Sequence, residues 1–160
     1  MYNRINGRSY QENDDISLEE LRYLKVLHYN YDNEIQVGEI IVNQKIEKDC
    51  LEIFQELFEA AYPICRMVLI DNYWTGDSVE TDAVSIKKNN TSSFNYRNIP
   101  GSAKRSNHAL GLAIDLNPYE KAMGIRHLMD KYGSSWNGNV EPKSNKTDEI
   151  IGSFMEALPD

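Results

Sequence analysis

The residues best suited to chemistry lie together in a short stretch, from Ser106 to Asp115, with the sequence SNHALGLAID. It carries an imidazole, His108, and a carboxylate, Asp115, which are ligand types suited to zinc. A catalytic zinc site takes three protein ligands and keeps one position for water, so this stretch would supply two of the three. The alternative is a lone histidine in a loop, followed by an ordinary strand whose aspartate faces water.

The residues between the two candidate ligands predict how they meet. From Leu112 to Leu116 apolar residues alternate with small or polar ones, the period-two pattern of a half-buried strand. His108 and Asp115 are seven residues apart, so an unbroken strand would place them on opposite faces. A turn or bulge at Gly111 would bring them to one site. The small residues Gly111 and Ala113 would then leave room for a substrate.

Composition limits the classes of protein to consider. With 160 residues and 18.4 kDa, the chain suits a single domain with a real core, and we expect a soluble monomer. The net charge of -8 argues against nucleic acid as a partner. No stretch approaches the roughly 20 apolar residues of a membrane span, and the polar start of the chain lacks the apolar core of a signal peptide. Cys50 and Cys65 favour buried free thiols over a disulfide.

The elements that must position the site begin after a loose arm predicted for residues 1–16. A single domain is predicted for residues 17–160, and Ser17 with Glu20 predicts a capped helical turn at its start. Two strand-like runs, Leu21–Tyr31 and Ile35–Val42, are separated by turn residues and predict a β-hairpin. His28, in the first run, lacks ligand spacing and is expected to be a structural or surface residue.

Further along, apolar residues at three- and four-residue spacing predict an amphipathic helix over Lys48–Ala61. The apolar run Arg66–Tyr73 predicts a buried strand. The polar segment Ser78–Arg105 predicts a long ordered loop that faces a substrate, because long loops in compact domains are often functional. In that loop, Arg97 is suited to bind a carboxylate or negative charge on a carbonyl oxygen, although a surface arginine is an equal alternative by position alone.

The motif Ser106-x-His108-x-x-Gly111-x-Ala113-x-Asp115 resembles the zinc signature of the M15 peptidases. That family comprises D-alanyl-D-alanine carboxypeptidases, D-Ala-D-Ala dipeptidases and phage L-alanyl-D-glutamate endolysins. The similarity extends over roughly residues 20–118, in the stretches 21–23, 36–43, 62–64, 89–97 and 114–118, and points to the VanY-like branch.

The resemblance implies an α+β fold, with a small antiparallel sheet flanked by helices and the zinc site in a groove on one face. It implies that His108 and Asp115 bind Zn²⁺, that Arg97 acts catalytically near the scissile carbonyl or the substrate carboxylate, and that Ser106 contacts substrate or ligand. The implied partner is the peptide stem of bacterial peptidoglycan. The implied place of action is the cell wall, reached outside the cytoplasm or after release by lysis.

The family completes its site with a carboxylate base and a third zinc ligand, a histidine, near the C-terminus. Here Lys131–Gly138 resembles the preceding Trp-Gly segment, but Thr147–Phe154 contains no histidine. His127, Asp148 or Glu149 would have to supply the missing zinc ligand or base. Alternatively, the tail is divergent and has neither group. Two hypotheses follow: a zinc-dependent carboxypeptidase or endopeptidase of the cell wall, and a non-catalytic or degenerate relative that binds cell-wall peptide.

Overall fold

The computed structural model of the protein describes residues 1–120. In this part of the chain the order is helix α1 (Tyr2–Ile5), strands β1 (Leu21–Tyr29) and β2 (Ile35–Asn43), and helices α2 (Glu47–Glu59) and α3 (Ser78–Lys87). The two strands form one antiparallel sheet, on which α2 packs, and this combination is consistent with the predicted α+β class. The predictions for His127, Asp148, Glu149 and the segments around them lie outside the described residues.

The predicted β-hairpin is confirmed. Strands β1 and β2 pair in register from Leu21 with Asn43 to Tyr29 with Ile35. Alternate side chains point to opposite faces, so the hairpin separates two apolar clusters. One face contributes Leu24, Val26, Ile40 and Val42 to a cluster with α2, and the other contributes Leu21 and Ile41 to a second cluster. Strand β2 is therefore buried on both faces near its end, where the candidate site begins.

The predicted amphipathic helix is confirmed as α2, with Cys50, Phe54 and Leu57 buried at three- and four-residue spacing. Each such apolar side chain stabilises the fold by about 1.5 to 3 kcal/mol when fully buried. Cys50 and Cys65 are free thiols, as expected, but only Cys50 is buried and Cys65 is half-buried. Burial raises the pKa of Cys50 to about 12, so this thiol is structural rather than reactive.

The N-terminal residues differ from the loose arm predicted for 1–16. Ile5, Tyr10 and Ile16 are buried in the second cluster, on the face of the hairpin that carries Leu21 and Ile41. Ser9 donates from its backbone N and its Oγ to the two carboxylate oxygens of the buried Asp71, at 3.0 and 2.8 Å. The arm is thus part of the core, because its apolar residues belong to the same cluster as Ile41 and Ser9 binds the buried carboxylate of Asp71.

The strand predicted for Arg66–Tyr73 is absent among the described residues. That stretch forms an isolated bridge between Arg66 and Asn90 and then a 3₁₀ turn at Ile70–Tyr73. The side-chain amide of Asn90 takes the place of a partner strand: its Oδ1 accepts from Val68 N and its Nδ2 donates to Val68 O, both at 3.0 Å. The Asn90 side chain thus binds the backbone N–H and C=O of Val68, which a neighbouring strand would otherwise bind.

The long loop predicted for Ser78–Arg105 begins instead with helix α3. Asp77 caps this helix, accepting at Oδ1 from the backbone N of Val79 and Glu80 at 2.9 and 2.8 Å. Its buried residues, Thr81 and Ser85, are polar, so the helix has no apolar stripe. Among residues 1–120, no helix has the length and apolar character required to cross a membrane.

Candidate functional site

Of the turn or bulge predicted at Gly111, the structure shows a turn. A short 3₁₀ turn, Asn107–Leu110, is capped by Ser106, whose Oγ accepts from the backbone N of His108 at 3.3 Å. It ends at Gly111, whose φ of 66° lies in the left-handed region that favours glycine. The Ser106 hydroxyl, expected at a substrate or ligand, therefore orients the residue that carries the candidate ligand.

Gly111 also approaches the end of β2 closely. The backbone N of Asn43 donates to Gly111 O at 2.9 Å, and Asn43 Nδ2 donates to Leu110 O at 2.9 Å. A Cβ atom at position 111 would lie 2.8 Å from Asn43 N. The missing side chain thus allows the turn to dock on the sheet, and does not serve to leave room for a substrate as expected.

His108 and Asp115 lie together, as predicted. The Nε2 atom of His108 is 3.4 Å from Oδ2 of Asp115. Two ligands at about 2.0 to 2.1 Å from a tetrahedral zinc are separated by about 3.3 Å. The pair therefore has the spacing that two zinc ligands require.

No strand positions Asp115, contrary to the expectation for Leu112–Leu116. Asp115 instead forms an isolated antiparallel bridge with Ser92, in which each backbone N donates to the carbonyl oxygen of the other at 2.8 and 3.1 Å. The bridge fixes the Asp115 backbone, while its side chain stays 36% exposed. A partly exposed carboxylate on a fixed backbone is accessible to an ion.

The other ring nitrogen of His108 is held by the protein. Nδ1 lies 2.8 Å from the carbonyl oxygen of Ser93. A carbonyl oxygen only accepts, so the proton of the neutral ring is on Nδ1 and the lone pair is on Nε2, the nitrogen that faces Asp115. Metal-binding histidines commonly use their second nitrogen in this way.

A third ligand is not present in the described part of the chain. No group of three or more His, Cys, Asp or Glu residues within 1–120 is placed to hold a metal ion. His28 is buried in β1, with Nδ1 3.2 Å from Tyr29 O, which agrees with its expected structural role. His108 and Asp115 fit a zinc ion as two ligands, and the predicted candidates for the third lie outside the described residues.

Arg97 is buried, which excludes the surface alternative. Its side chain is 8% exposed, and its Nη2 donates to Oδ2 of Asp82 at 2.7 Å. Asp82 comes from α3 and its side chain is 14% exposed. Sequence analysis missed Asp82 because it assigned this part of the chain to a loop. The pattern Asp77-x-x-Glu80 is typical of a helix N-terminus and would have indicated that α3 begins here.

The charges of this region influence one another. Burial raises the pKa of Asp82, and the charges of Arg97 and His108 oppose that rise, while the negative charge of Asp115 adds to it. Asp82 is therefore within electrostatic reach of Arg97 and of both candidate zinc ligands. The segment that carries Arg97 contacts both candidate ligands: Ser92 bonds to Asp115, and Asn95 donates to the carbonyl oxygen of His108.

The segment that carries Arg97 has further polar atoms directed into the protein. Ser93 Oγ, Asn95 Oδ1 and Arg97 Nε are buried and have no hydrogen-bond partner among the described residues. These residues are two apart in the sequence, and the backbone N of Asn95 donates to His108 O at 3.0 Å. Buried polar atoms without partners are uncommon and often mark functional sites.

Comparison of the chain with protein-family models, with curated proteins and with solved structures gave no match.

Proposed function

We propose that this chain is a zinc-dependent metallopeptidase that hydrolyses the peptide stem of bacterial peptidoglycan, as a D-Ala-D-Ala carboxypeptidase or an L-Ala-D-Glu endopeptidase. The observation that carries the proposal is the 3.4 Å separation of His108 Nε2 and Asp115 Oδ2, with Nδ1 of the same ring fixed by Ser93. The substrate class comes from the resemblance of the Ser106–Asp115 motif and the Asn89–Arg97 segment to the M15 family. The protein would act as a monomer at the cell wall, outside the cytoplasm or after lysis.

Each residue of the site would have a defined task. His108 and Asp115 would hold the zinc ion in a groove at the end of the hairpin. Zinc supplies a Lewis acid, which polarises a carbonyl group and acidifies a water molecule. Arg97, fixed by Asp82, would stabilise the negative charge that develops on the scissile carbonyl oxygen. The third ligand and the general base would come from His127, Asp148 or Glu149.

The proposal is tested with synthetic stem pentapeptides and purified peptidoglycan. The protein is incubated with each substrate in three states: as prepared, after treatment with a chelator, and after zinc is restored. Mass spectrometry of the products identifies the bond. Loss of a terminal D-alanine, or a cut after L-alanine, that disappears with the chelator and returns with zinc is the expected result. Absence of any product together with less than stoichiometric zinc contradicts the proposal.

A non-catalytic relative that binds cell-wall peptide is the second candidate. It is favoured by one observation: residues 1–120 bring only two candidate ligands together. Such a protein would sediment with purified peptidoglycan and leave the stem peptide intact with or without zinc. The sedimentation assay and the mass spectrometric assay together separate the two candidates.

A further inference from the structure

Among residues 1–120, the guanidinium group of Arg97 makes one short hydrogen bond and one long one. Nη2 makes the short contact to Asp82, whereas Nη1 lies 3.4 Å from Asn98 O, a long contact. Nε is buried and has no partner among the described residues. Arginine carries five N–H donors, so several remain for a bound molecule. The ion pair orients the group without using all its hydrogen-bonding capacity.

Helix α3 is docked so that Asp82 has a fixed position. Ser78, Asp82 and Ser85 lie on one face of the helix, because they recur at four- and three-residue spacing. Asn95 Nδ2 donates to Ser78 O at 3.0 Å, and Asn90 Nδ2 donates to Ser85 Oγ at 3.1 Å. These contacts lie on either side of Asp82. The same segment that carries Arg97 therefore also holds the helix that carries its partner.

Because the Arg97 side chain is buried, its positive charge requires the nearby negative charge of Asp82. A buried guanidinium without a counter-charge is strongly destabilising, and in a dry environment an arginine without a partner would turn towards water. Asp82 compensates the charge of Arg97 from the side of α3. The segment that carries Arg97 also bonds to Asp115 through Ser92 and to His108 through Asn95, so the ion pair is held beside the residues that contact both candidate ligands.

We propose that Asp82 is a positioning residue: by binding Nη2, it directs the remaining donors of Arg97 towards the carbonyl oxygen of the peptide bond that lies at His108 and Asp115. Asp82 touches neither the substrate nor the zinc ion in this arrangement and acts through Arg97. The inference rests on the proposed peptidase function for its catalytic consequence. The orientation of Arg97 by Asp82 stands apart from that function and is measured separately.

The orientation is tested by NMR of protein labelled with ¹⁵N-arginine. In the wild type, the Arg97 Nε–H signal should be resolved and should exchange slowly with water, because the group is buried and immobile. In Asp82→Asn its exchange should be at least about tenfold faster, since the group is no longer held. Glu80→Gln removes the same charge from an exposed position of the same helix and should leave the signal unchanged.

The catalytic consequence is tested with the same variants, loaded with zinc. Asp82→Asn should lower kcat/KM for stem peptide about a hundredfold at unchanged zinc stoichiometry, because the arginine is misplaced and the ligands remain. Asp82→Glu, which restores the charge on a longer side chain, should recover part of the loss. Glu80→Gln should match the wild type. Far-ultraviolet circular dichroism checks that each variant is folded.

The outcomes separate this proposal from the proposed function. If the wild type does not cleave the peptide but Asp82→Asn frees the Arg97 signal, the peptidase function fails and the positioning role stands. Unchanged Arg97 exchange in Asp82→Asn, or full activity of that variant, overturns the positioning role. If Asp82→Asn does not fold, the Asp82→Glu variant decides: an Arg97 signal and an activity identical to those of the wild type overturn the proposal.

Discussion

The Nδ1 atom of His108 and the carbonyl oxygen of Ser93 are 2.8 Å apart. This backbone contact fixes the histidine tautomer without the use of a second side chain. We predict that Nδ1 of His108 carries a proton, because it faces a carbonyl oxygen, and that zinc shifts the resonance of Nε2. ¹⁵N NMR of histidine-labelled protein measures it directly, since the chain contains only three histidines. An Nε2 resonance that is insensitive to zinc would contradict the assignment of His108 as a ligand.

Asp115→Ala should abolish zinc retention and leave the fold largely intact. The side chain is partly exposed, whereas the backbone of Asp115 makes both bonds of the bridge with Ser92, and alanine keeps these bonds. Zinc content after dialysis and circular dichroism measure the two effects. Glu12→Ala, at an exposed position of the N-terminal arm, is the control and should retain zinc. Unchanged zinc content in Asp115→Ala would refute the ligand role.

Gly111→Ala should destabilise the protein by about 3 kcal/mol, because alanine would meet both an unfavourable φ and the backbone of β2. Gly101→Ala is the matched control. Gly101 also has a positive φ, 75°, but no atom lies within 4 Å of a Cβ built there. Its substitution should cost only about 1 kcal/mol. Urea denaturation of both variants measures the free energy of unfolding. Equal decreases in the two variants would show that the close approach of Gly111 to Asn43 does not affect stability.

The contact between α1 and β2 should be sensitive to acid. Arg4 donates to both carboxylate oxygens of Glu39, at 2.7 and 2.9 Å, and the Tyr23 hydroxyl also contacts this carboxylate. These interactions, that with Arg4 above all, lower the pKa of Glu39 from 4.5 to about 2. A carboxylate whose pKa is lower in the folded state stabilises the protein above pH 4.5, and this contribution disappears as the pH falls towards about 2.

Glu39→Gln should therefore lower the free energy of unfolding at pH 6 by about 1 kcal/mol, a modest value because Arg4 is partly exposed. The difference from the wild type should shrink between pH 4.5 and pH 2. Urea denaturation at a series of pH values measures it. Glu12→Gln, an exposed substitution on the same arm, should show no such dependence. A difference that stays constant down to pH 2 would argue against the ion pair.

The hairpin, α2 and the turn at Gly111 were predictable from the sequence because each rests on a local rule. Alternation specifies the strands, and apolar spacing specifies the helix. The meeting of His108 with Asp115 followed from the conformational freedom of glycine. These parts depend on residues that are close in the sequence, so a local pattern contains the necessary information.

The missed features depend on contacts between distant residues. Helix α3 buries Thr81 and Ser85 against polar side chains, and periodicity of apolar residues does not detect such a face. The N-terminal arm is ordered by Asp71, which is 62 residues away from Ser9. The pairing of Asp82 with Arg97 likewise requires α3 to be placed first. Hydrogen bonds and ion pairs between residues that are distant in the sequence produce no periodic pattern in it.

The segment that carries Arg97 is hydrogen-bonded to a different neighbour at almost every residue. Backbone N atoms of Thr91, Ser92, Phe94, Asn95 and Tyr96 donate respectively to carbonyl oxygens of Arg66, Asp115, Ile41, His108 and Ser9. An insertion or deletion of one residue here would displace all these bonds together, because each backbone N would then face the wrong carbonyl oxygen. This stretch should accept some substitutions but no change in length, which makes its length an identifying feature of any protein that shares this site.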